Sequence, residues 1–180
     1  ARQVKRRTKQ YLASQTADVA QMNTLIDWLP ANIRDDEATA LVHGDYRLDN
    51  LIFHPTEPRV LAVIDWELST RGHPLSDLAY TCMLYDVMLP KIGGLAGVDF
   101  EKTRIPTEDA FVARYCELVG RDGVPDLHYY KAFSLFRLAA IAQGVYKRSL
   151  DGNASSTEAA MFGAAVPHLA SIACGLAGIE

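Results

Sequence analysis

The feature that most restricts this chain is a run of polar residues set between short apolar segments. Thr39-Ala-Leu-Val leads into His43-Gly44-Asp45-Tyr46-Arg47-Leu48-Asp49-Asn50, and Leu51-Ile-Phe follows. A turn at Pro55 and Pro58 then gives way to Val60-Leu-Ala-Val-Ile and to Asp65-Trp66-Glu67. Short apolar runs punctuated by prolines predict a strand, a loop and a hairpin. A hairpin brings its second strand back to where the first began, so Asp65 returns to the end of the loop that carries Asp45 and Asn50.

The rest of the sequence reads as helix. Apolar residues recur at three- and four-residue steps from Val4 through Tyr11, Leu12, Val19, Met22, Leu25, Ile26 and Leu29, which predicts one long amphipathic helix ending before Pro30. Its basic residues Lys5, Arg6, Arg7 and Lys9 are expected to form a solvated face. Pro74 can start a helix to about Leu89, after which Gly93, Gly94 and Gly97 predict a flexible connection closed by Pro106 and Thr107. A helix from Thr107 to Val119 ends at Gly120, and Asp126 can cap another running to about Leu150. Ser155-x-x-Glu158 has the form of a capping box opening a last Ala-rich helix kinked near Pro167. The fold class is therefore α+β and mostly helical, with a small hairpin unit among five or six helices.

Length and charge narrow the function. The 180 residues, 49% hydrophobic, suit one globular domain. A net charge of -4 gives no electrostatic reason to bind nucleic acid or an anionic membrane. No uninterrupted apolar run reaches the roughly 18 residues of a membrane span. The three cysteines, Cys82, Cys116 and Cys174, are far apart and lack a CxxC pairing, which fits a reducing compartment and points to the cytoplasm.

The central loop carries the residue types that phosphoryl transfer needs. That reaction has a loose transition state, so a protein mainly aims the nucleophile and neutralises charge. One carboxylate must meet the acceptor hydroxyl, and a second carboxylate with a side-chain amide must hold Mg²⁺ against a triphosphate through oxygen. Asp45, Asp65 and Asn50 meet that need, since D-x-x-x-x-N puts Asp45 and Asn50 at the two ends of one loop. The chemistry leaves two other readings open: a metal-dependent phosphoesterase built on His43, Asp45 and Asp65, and a non-catalytic module of the same shape. His54, His73, His128 and His168 show no metal-ligand spacing and are expected as turn, cap or core residues.

His43-Gly-Asp45 with Asn50, Ile64-Asp65-Trp66-Glu67 and Gly72-His-Pro-Leu-Ser-Asp77-Leu-Ala together resemble the C-terminal lobe of the aminoglycoside phosphotransferase and choline kinase family, distant relatives of protein kinases. The resemblance implies an ATP-dependent small-molecule kinase. By it, Asp45 would be the base or hydroxyl-orienting residue, His43 a structural member of the catalytic loop, and Asn50 and Asp65 ligands of Mg²⁺ at the nucleotide. Asp77 would accept backbone N–H bonds that brace the loop; a plain helix N-terminal charge is its other reading. Trp66 and Glu67 stand where protein kinases have Phe-Gly, which argues against a mobile switch there. Arg47-Leu-Asp49 departs from the His-Pro-Gly common in the family, so Arg47 either faces a phosphate or substrate or pairs with Asp49.

A kinase of this family also needs an N-terminal lobe with a nucleotide-covering loop and a strand-borne lysine, and neither is legible here. The first helix opens without a cap at Ala1, and residues 1–180 are expected to be one catalytic lobe, a fragment of a longer chain that is nearly inactive alone. From Asp126 onward four acids face four bases, alongside Tyr129, Tyr130, Phe133, Phe136 and Tyr146. That balance suits a neutral or anionic hydroxylated acceptor better than a polycationic aminoglycoside, although the aromatics are more readily read as core. The motif region most resembles the branch found in or beside acyl-CoA dehydrogenases, which implies a hydroxyacyl substrate.

Overall fold

The computed structural model describes residues 1–34, 38–89, 93–152 and 159–179. Two helices, α1 (Arg2–Ser14) and α2 (Ala20–Ala31), come first. The strand β1 (Ala40–Val42) leads into the polar loop, and the hairpin β2 (Leu51–Phe53) and β3 (Val60–Val63) follows. Next come β4 (Thr70–Gly72), α3 (Leu75–Cys82), the short pair β5 (Met88–Leu89) and β6 (Gly93–Gly94), and one turn of helix, α4 (Phe100–Thr103). The chain closes with α5 (Glu108–Val119), α6 (Leu127–Leu150) and α7 (Ala159–Ala177). The α+β, mostly helical class follows from this order, with the strands among the described residues confined to three small antiparallel pairs.

The helix α6 is the spine. Its Tyr129, Tyr130, Ala132, Leu135, Phe136, Ala139 and Ala140 are buried, and α1, α3 and α7 pack along it while α2 packs on α7. The aromatics Tyr129, Tyr130 and Phe136 are thus core residues, and Phe133 packs partly buried against the same core. Small residues let α7 approach closely. At Gly163 an added Cβ would lie 2.8 Å from two ring atoms of Tyr146 on α6. Replacing Gly163 by Ala therefore gains about 1 kcal/mol of helix propensity and loses about 1–3 kcal/mol to overpacking. Urea unfolding should show a net loss of up to about 2 kcal/mol, and a gain in stability would contradict this contact. Residues Ala160–Ala177 are long and apolar enough to cross a membrane by length and composition, which uninterrupted apolar runs alone do not reveal. In this fold Val166, Leu169, Ala170 and Ala173 of that helix are buried in the core.

Several expectations from the sequence are corrected. The opening amphipathic pattern is two helices, not one. The chain leaves helix at Gln15 (φ -59°, ψ 130°), and Gln143 of α6 donates both to the Ser14 carbonyl at 2.8 Å and to Thr16 Oγ1 at 3.0 Å. A tertiary donor thus satisfies a helix-end carbonyl, which periodicity does not reveal. Pro30 lies inside the last turn of α2 rather than beyond it.

The helix opened by Pro74 stops at Cys82, and Met88 and Leu89 pair with Gly94 and Gly93. Gly93 and Gly94 thus form a strand where a flexible connection was expected, and Gly97 follows in a turn. Gly94, at φ +151°, comes so close that a Cβ would sit 1.8 Å from the Val87 carbonyl oxygen. The proposed capping box at Ser155 and Glu158 lies outside the described residues.

Of the other expected caps, those of α5 follow the sequence and that of α6 does not. Thr107 Oγ1 accepts from Ala110 N, and Gly120 ends α5 in the left-handed region at φ 67°. Asp126 precedes α6 but pairs with Arg34 at 3.1 Å in place of a side-chain cap. Lys131, only 4% exposed, is held by Asp86 at 2.8 Å and Glu108 at 2.6 Å.

Candidate active site

The loop between β1 and β2 is fixed from three sides, and each support comes from a different element. From α3, Asp77 accepts two backbone N–H groups, His43 N at 2.7 Å and Gly44 N at 2.9 Å. The pairing of β1 with β4 brings Asp77 there: Val42 faces Thr70 and Ala40 faces Gly72, so the helix that follows β4 starts beneath the loop. Gly72 is part of this fit, because a Cβ there would lie 3.0 Å from Val42 Cγ2. Thr81, one turn after Asp77, donates to the Tyr46 carbonyl at 3.2 Å.

His43 is 2% exposed and locks the loop to the hairpin. Its Nδ1 accepts from Asp45 N at 3.2 Å, which leaves Nε2 to donate to the Ile64 carbonyl at 2.8 Å. The ring also packs 4.7 Å from that of Trp66, whose own Nε1 donates to the Val63 carbonyl at 2.8 Å. Gly44, at φ +83°, is demanded by this closeness, since a Cβ would sit 2.7 Å from the Leu68 carbonyl oxygen.

Asn50 closes the other end. It is 8% exposed, and its Nδ2 donates to the Asp45 carbonyl at 2.8 Å and to Asp45 Oδ2 at 3.2 Å. Both amide hydrogens are thus used within the loop, leaving Oδ1 as the atom that can serve a cation. Ile64 N donates to the Asn50 carbonyl at 2.9 Å, so Asp65 follows immediately beside Asn50. Asp65 is left-handed (φ 64°, ψ 52°), an uncommon conformation for a residue with a side chain, and it is exposed. Two oxygen donors, one carboxylate and one amide, suit a small hard cation that takes its remaining ligands from phosphates and water.

The loop's other polar residues fall to the edges. Arg47 pairs with Asp49, its Nε 2.6 Å from Asp49 Oδ2. Of the two readings for Arg47, the ion pair is the one seen in this geometry. Glu67 is exposed on the short turn Trp66–Leu68. His54 acts as a turn residue, accepting from Glu57 N at 3.0 Å, and His73 stacks on Tyr130 at 4.8 Å.

Two residues at the loop went unnoticed in the sequence. Tyr80, one turn along α3 from Asp77, is 8% exposed, and burial first, then the Asp45 carboxylate, push its phenol up to about 12. Arg137 of α6 donates to the Gly44 carbonyl and lays its guanidinium 5.0 Å above the Tyr80 ring. The i, i+3 spacing from Asp77 to Tyr80 was a usable signal. Nothing local points to Arg137, which lies 93 residues from Gly44. A cavity of about 440 Å³ opens elsewhere, lined by Glu108, Val112, Cys116, Leu127, Lys131 and Leu176, none of them in the loop.

A loop of this construction, with a hairpin returning a second carboxylate, is that of a kinase-like phosphotransferase lobe. The profile of the "Phosphotransferase enzyme family" matches residues 1–121, and the chain belongs to that family. A crystal structure of a "putative aminoglycoside phosphotransferase" from Ralstonia eutropha superposes with a TM-score of 0.92 at 47% identity, covering 98% of this chain and 54% of that one. Mouse acyl-CoA dehydrogenase family member 10 is 47% identical over 99% of this chain. Human acyl-CoA dehydrogenase family member 11 is 44% identical over 94% of it. This chain spans 17% of the mouse relative's length and 22% of the human one's.

Proposed function

We propose that the chain is the catalytic lobe of an ATP-dependent kinase that phosphorylates the hydroxyl of a small molecule. The observation that carries this is the shared geometry of Asp45, Asn50 and Asp65. Asn50 turns its amide hydrogens onto Asp45, keeps Oδ1 for a cation and lies beside Asp65. In this reading Asp45 accepts the acceptor's proton or aims its hydroxyl, and Asn50 and Asp65 hold Mg²⁺ against the nucleotide's phosphates. The chemistry Mg²⁺ supplies when bound is neutralisation of triphosphate charge. His43, Asp77 and Arg137 keep the loop from shifting under its substrate, and Glu67 stands at the outer edge.

The acceptor class we favour is a hydroxyacyl compound, ahead of an aminoglycoside or choline. Support comes from the names of the relatives, acyl-CoA dehydrogenases in which a chain like this one spans about a fifth of the length. A kinase lobe in such proteins would share an acyl substrate with its host. The rest of the enzyme is an N-terminal lobe bearing the nucleotide-covering loop, without which residues 1–180 would turn over little ATP. Cys82, Cys116 and Cys174 are free thiols, in keeping with a cytoplasmic setting. A net charge of -4 argues against a nucleic-acid or anionic-membrane partner.

The test is calorimetric titration of the full-length protein with a non-hydrolysable ATP analogue and Mg²⁺. Asp65→Asn and Asn50→Ala should each weaken binding at least about ten-fold, the scale on which even outer-shell changes act at metal sites. Variants that bind like the parent would remove both residues from the metal and leave the lobe as a non-catalytic module.

A further inference from the structure

The backbone of His43–Tyr46 is held group by group. Asp77 of α3 takes the N–H groups of His43 and Gly44, and His43 Nδ1 takes that of Asp45. Asn50 Nδ2 reaches the Asp45 carbonyl, and Thr81 reaches that of Tyr46. The Gly44 carbonyl is met by Arg137 of α6. This last hold differs from the others in charge and in source, since it is supplied by a cation and comes from the spine helix.

Stability is a poor reason for it. Arg137 is half-buried, and its polar partners among the described residues are a single backbone carbonyl and the face of Tyr80, 5.0 Å from the guanidinium. Lys131, on the same helix, is buried between the carboxylates of Asp86 and Glu108 instead. Withdrawing a guanidinium from water against one neutral acceptor is costly, so the reason for Arg137 lies in what its carbonyl does.

That carbonyl belongs to the peptide unit joining Gly44 to Asp45, and the N–H of the same unit donates to His43 Nδ1 at 3.2 Å. In a trans peptide the two groups point in opposite directions, so the unit is gripped from both sides. Gly44, at φ +83°, sets little steric limit on turning the unit over. Turned over, it would aim an N–H at the guanidinium and a carbonyl at a ring nitrogen that now accepts. His43 could meet that carbonyl only by moving its proton from Nε2 to Nδ1, which would break the 2.8 Å bond to the Ile64 carbonyl, one residue before Asp65. A charged donor on the Gly44 oxygen opposes the reversal and strengthens donation from the Asp45 N–H.

We infer that Arg137 is a positioning residue for phosphoryl transfer. It fixes the direction of the Gly44–Asp45 peptide, and with it the Nε2–H form of His43 and the aim of the Asp45 carboxylate. The inference rests on the kinase reading for its reaction and adds to it a residue that acts through the backbone.

The experiment compares Arg137→Lys, Arg137→Gln and Arg137→Met in the full-length protein. Lysine keeps a charged donor, glutamine a neutral one and methionine neither. Ring-nitrogen NMR spectra, with the His43 signals assigned by their loss in His43→Asn, read which nitrogen carries the proton. Steady-state kinetics with ATP, Mg²⁺ and choline, kanamycin or 3-hydroxybutyrate reads turnover. The parent and Arg137→Lys should show the Nε2–H form alone, and the lysine variant should keep most of kcat. Arg137→Met should add the Nδ1–H form and lower kcat about ten- to a hundred-fold, the range for groups that orient a site from behind it, with the nucleotide KM little changed. Arg137→Gln should fall between, so the series can be read where methionine unfolds the protein.

The Nε2–H form alone in the uncharged variants, or a parental kcat in Arg137→Met, would overturn the role. Unfolding of both uncharged variants would make Arg137 a residue of the fold and overturn it as well. The ring spectra need no phosphoryl transfer. A His43 that follows the series in a protein that phosphorylates none of the acceptors would sink the kinase reading and leave the hold on the loop standing.

Discussion

Asp45→Asn in the full-length protein should lower kcat by about 10²–10⁴-fold, the range spanned by removal of a positioned proton acceptor. The change is small in shape. The backbone N–H of residue 45 still reaches His43 Nδ1, its carbonyl still accepts from Asn50, and an amide oxygen can replace the carboxylate oxygen that Asn50 Nδ2 now meets at 3.2 Å. What disappears is the negative charge and the basic oxygen at the acceptor hydroxyl. Nucleotide affinity should therefore hold while turnover collapses, and steady-state kinetics separates the two. A variant that keeps its kcat would mean that Asp45 neither takes the proton nor orients the hydroxyl.

Asp77→Ala should cost the fold about 3–6 kcal/mol, and turnover with it. The carboxylate accepts from His43 N and Gly44 N, and hydrogen bonds to a charged group contribute about 1.5–3 kcal/mol each. Truncation leaves both N–H groups without their acceptor at the point where the loop begins, and Arg137 still pulls on the Gly44 carbonyl. Asp77→Asn retains one acceptor oxygen and should recover about half of the stability. Urea unfolding of the two variants measures this directly. Equal stability of Asp77→Ala and the parent would reduce Asp77 to a helix N-terminal charge.

Much of the site could be read from the chain because it is built from short-range signals. Asp45 and Asn50 lie within one loop, and the apolar runs that became β2 and β3 announce the hairpin that returns Asp65 next to Asn50. The supports that come from distant elements could not be read in that way. Gln143 ends α1 across 129 residues, Arg137 reaches Gly44 from α6, and β4 pairs with β1 over only three residues each. The same limit explains the errors in the fold. Periodicity ran through Gln15 because Leu12 and Val19 lie two helical turns apart and continue the pattern, while the donor at the end of the helix lies on α6. Gly93 and Gly94 looked like slack, but the absence of side chains is what lets β6 lie against Val87 and Met88. Arg7 looked like one more surface cation, yet it is half-buried on α1 with its Nε out of solvent.

The central claim is that Asp45 serves the transfer of a phosphoryl group from ATP to a hydroxyl. The most direct test supplies the full-length protein with γ-labelled ATP and Mg²⁺ beside choline, aminoglycosides and hydroxyacyl compounds, and follows the label to product in the parent and in Asp45→Asn. Label on the hydroxyl of one acceptor class, lost in the variant, is the predicted result, with hydroxyacyl compounds as the class that receives it. Label on no acceptor, or transfer by Asp45→Asn at the parent's rate, would contradict the account.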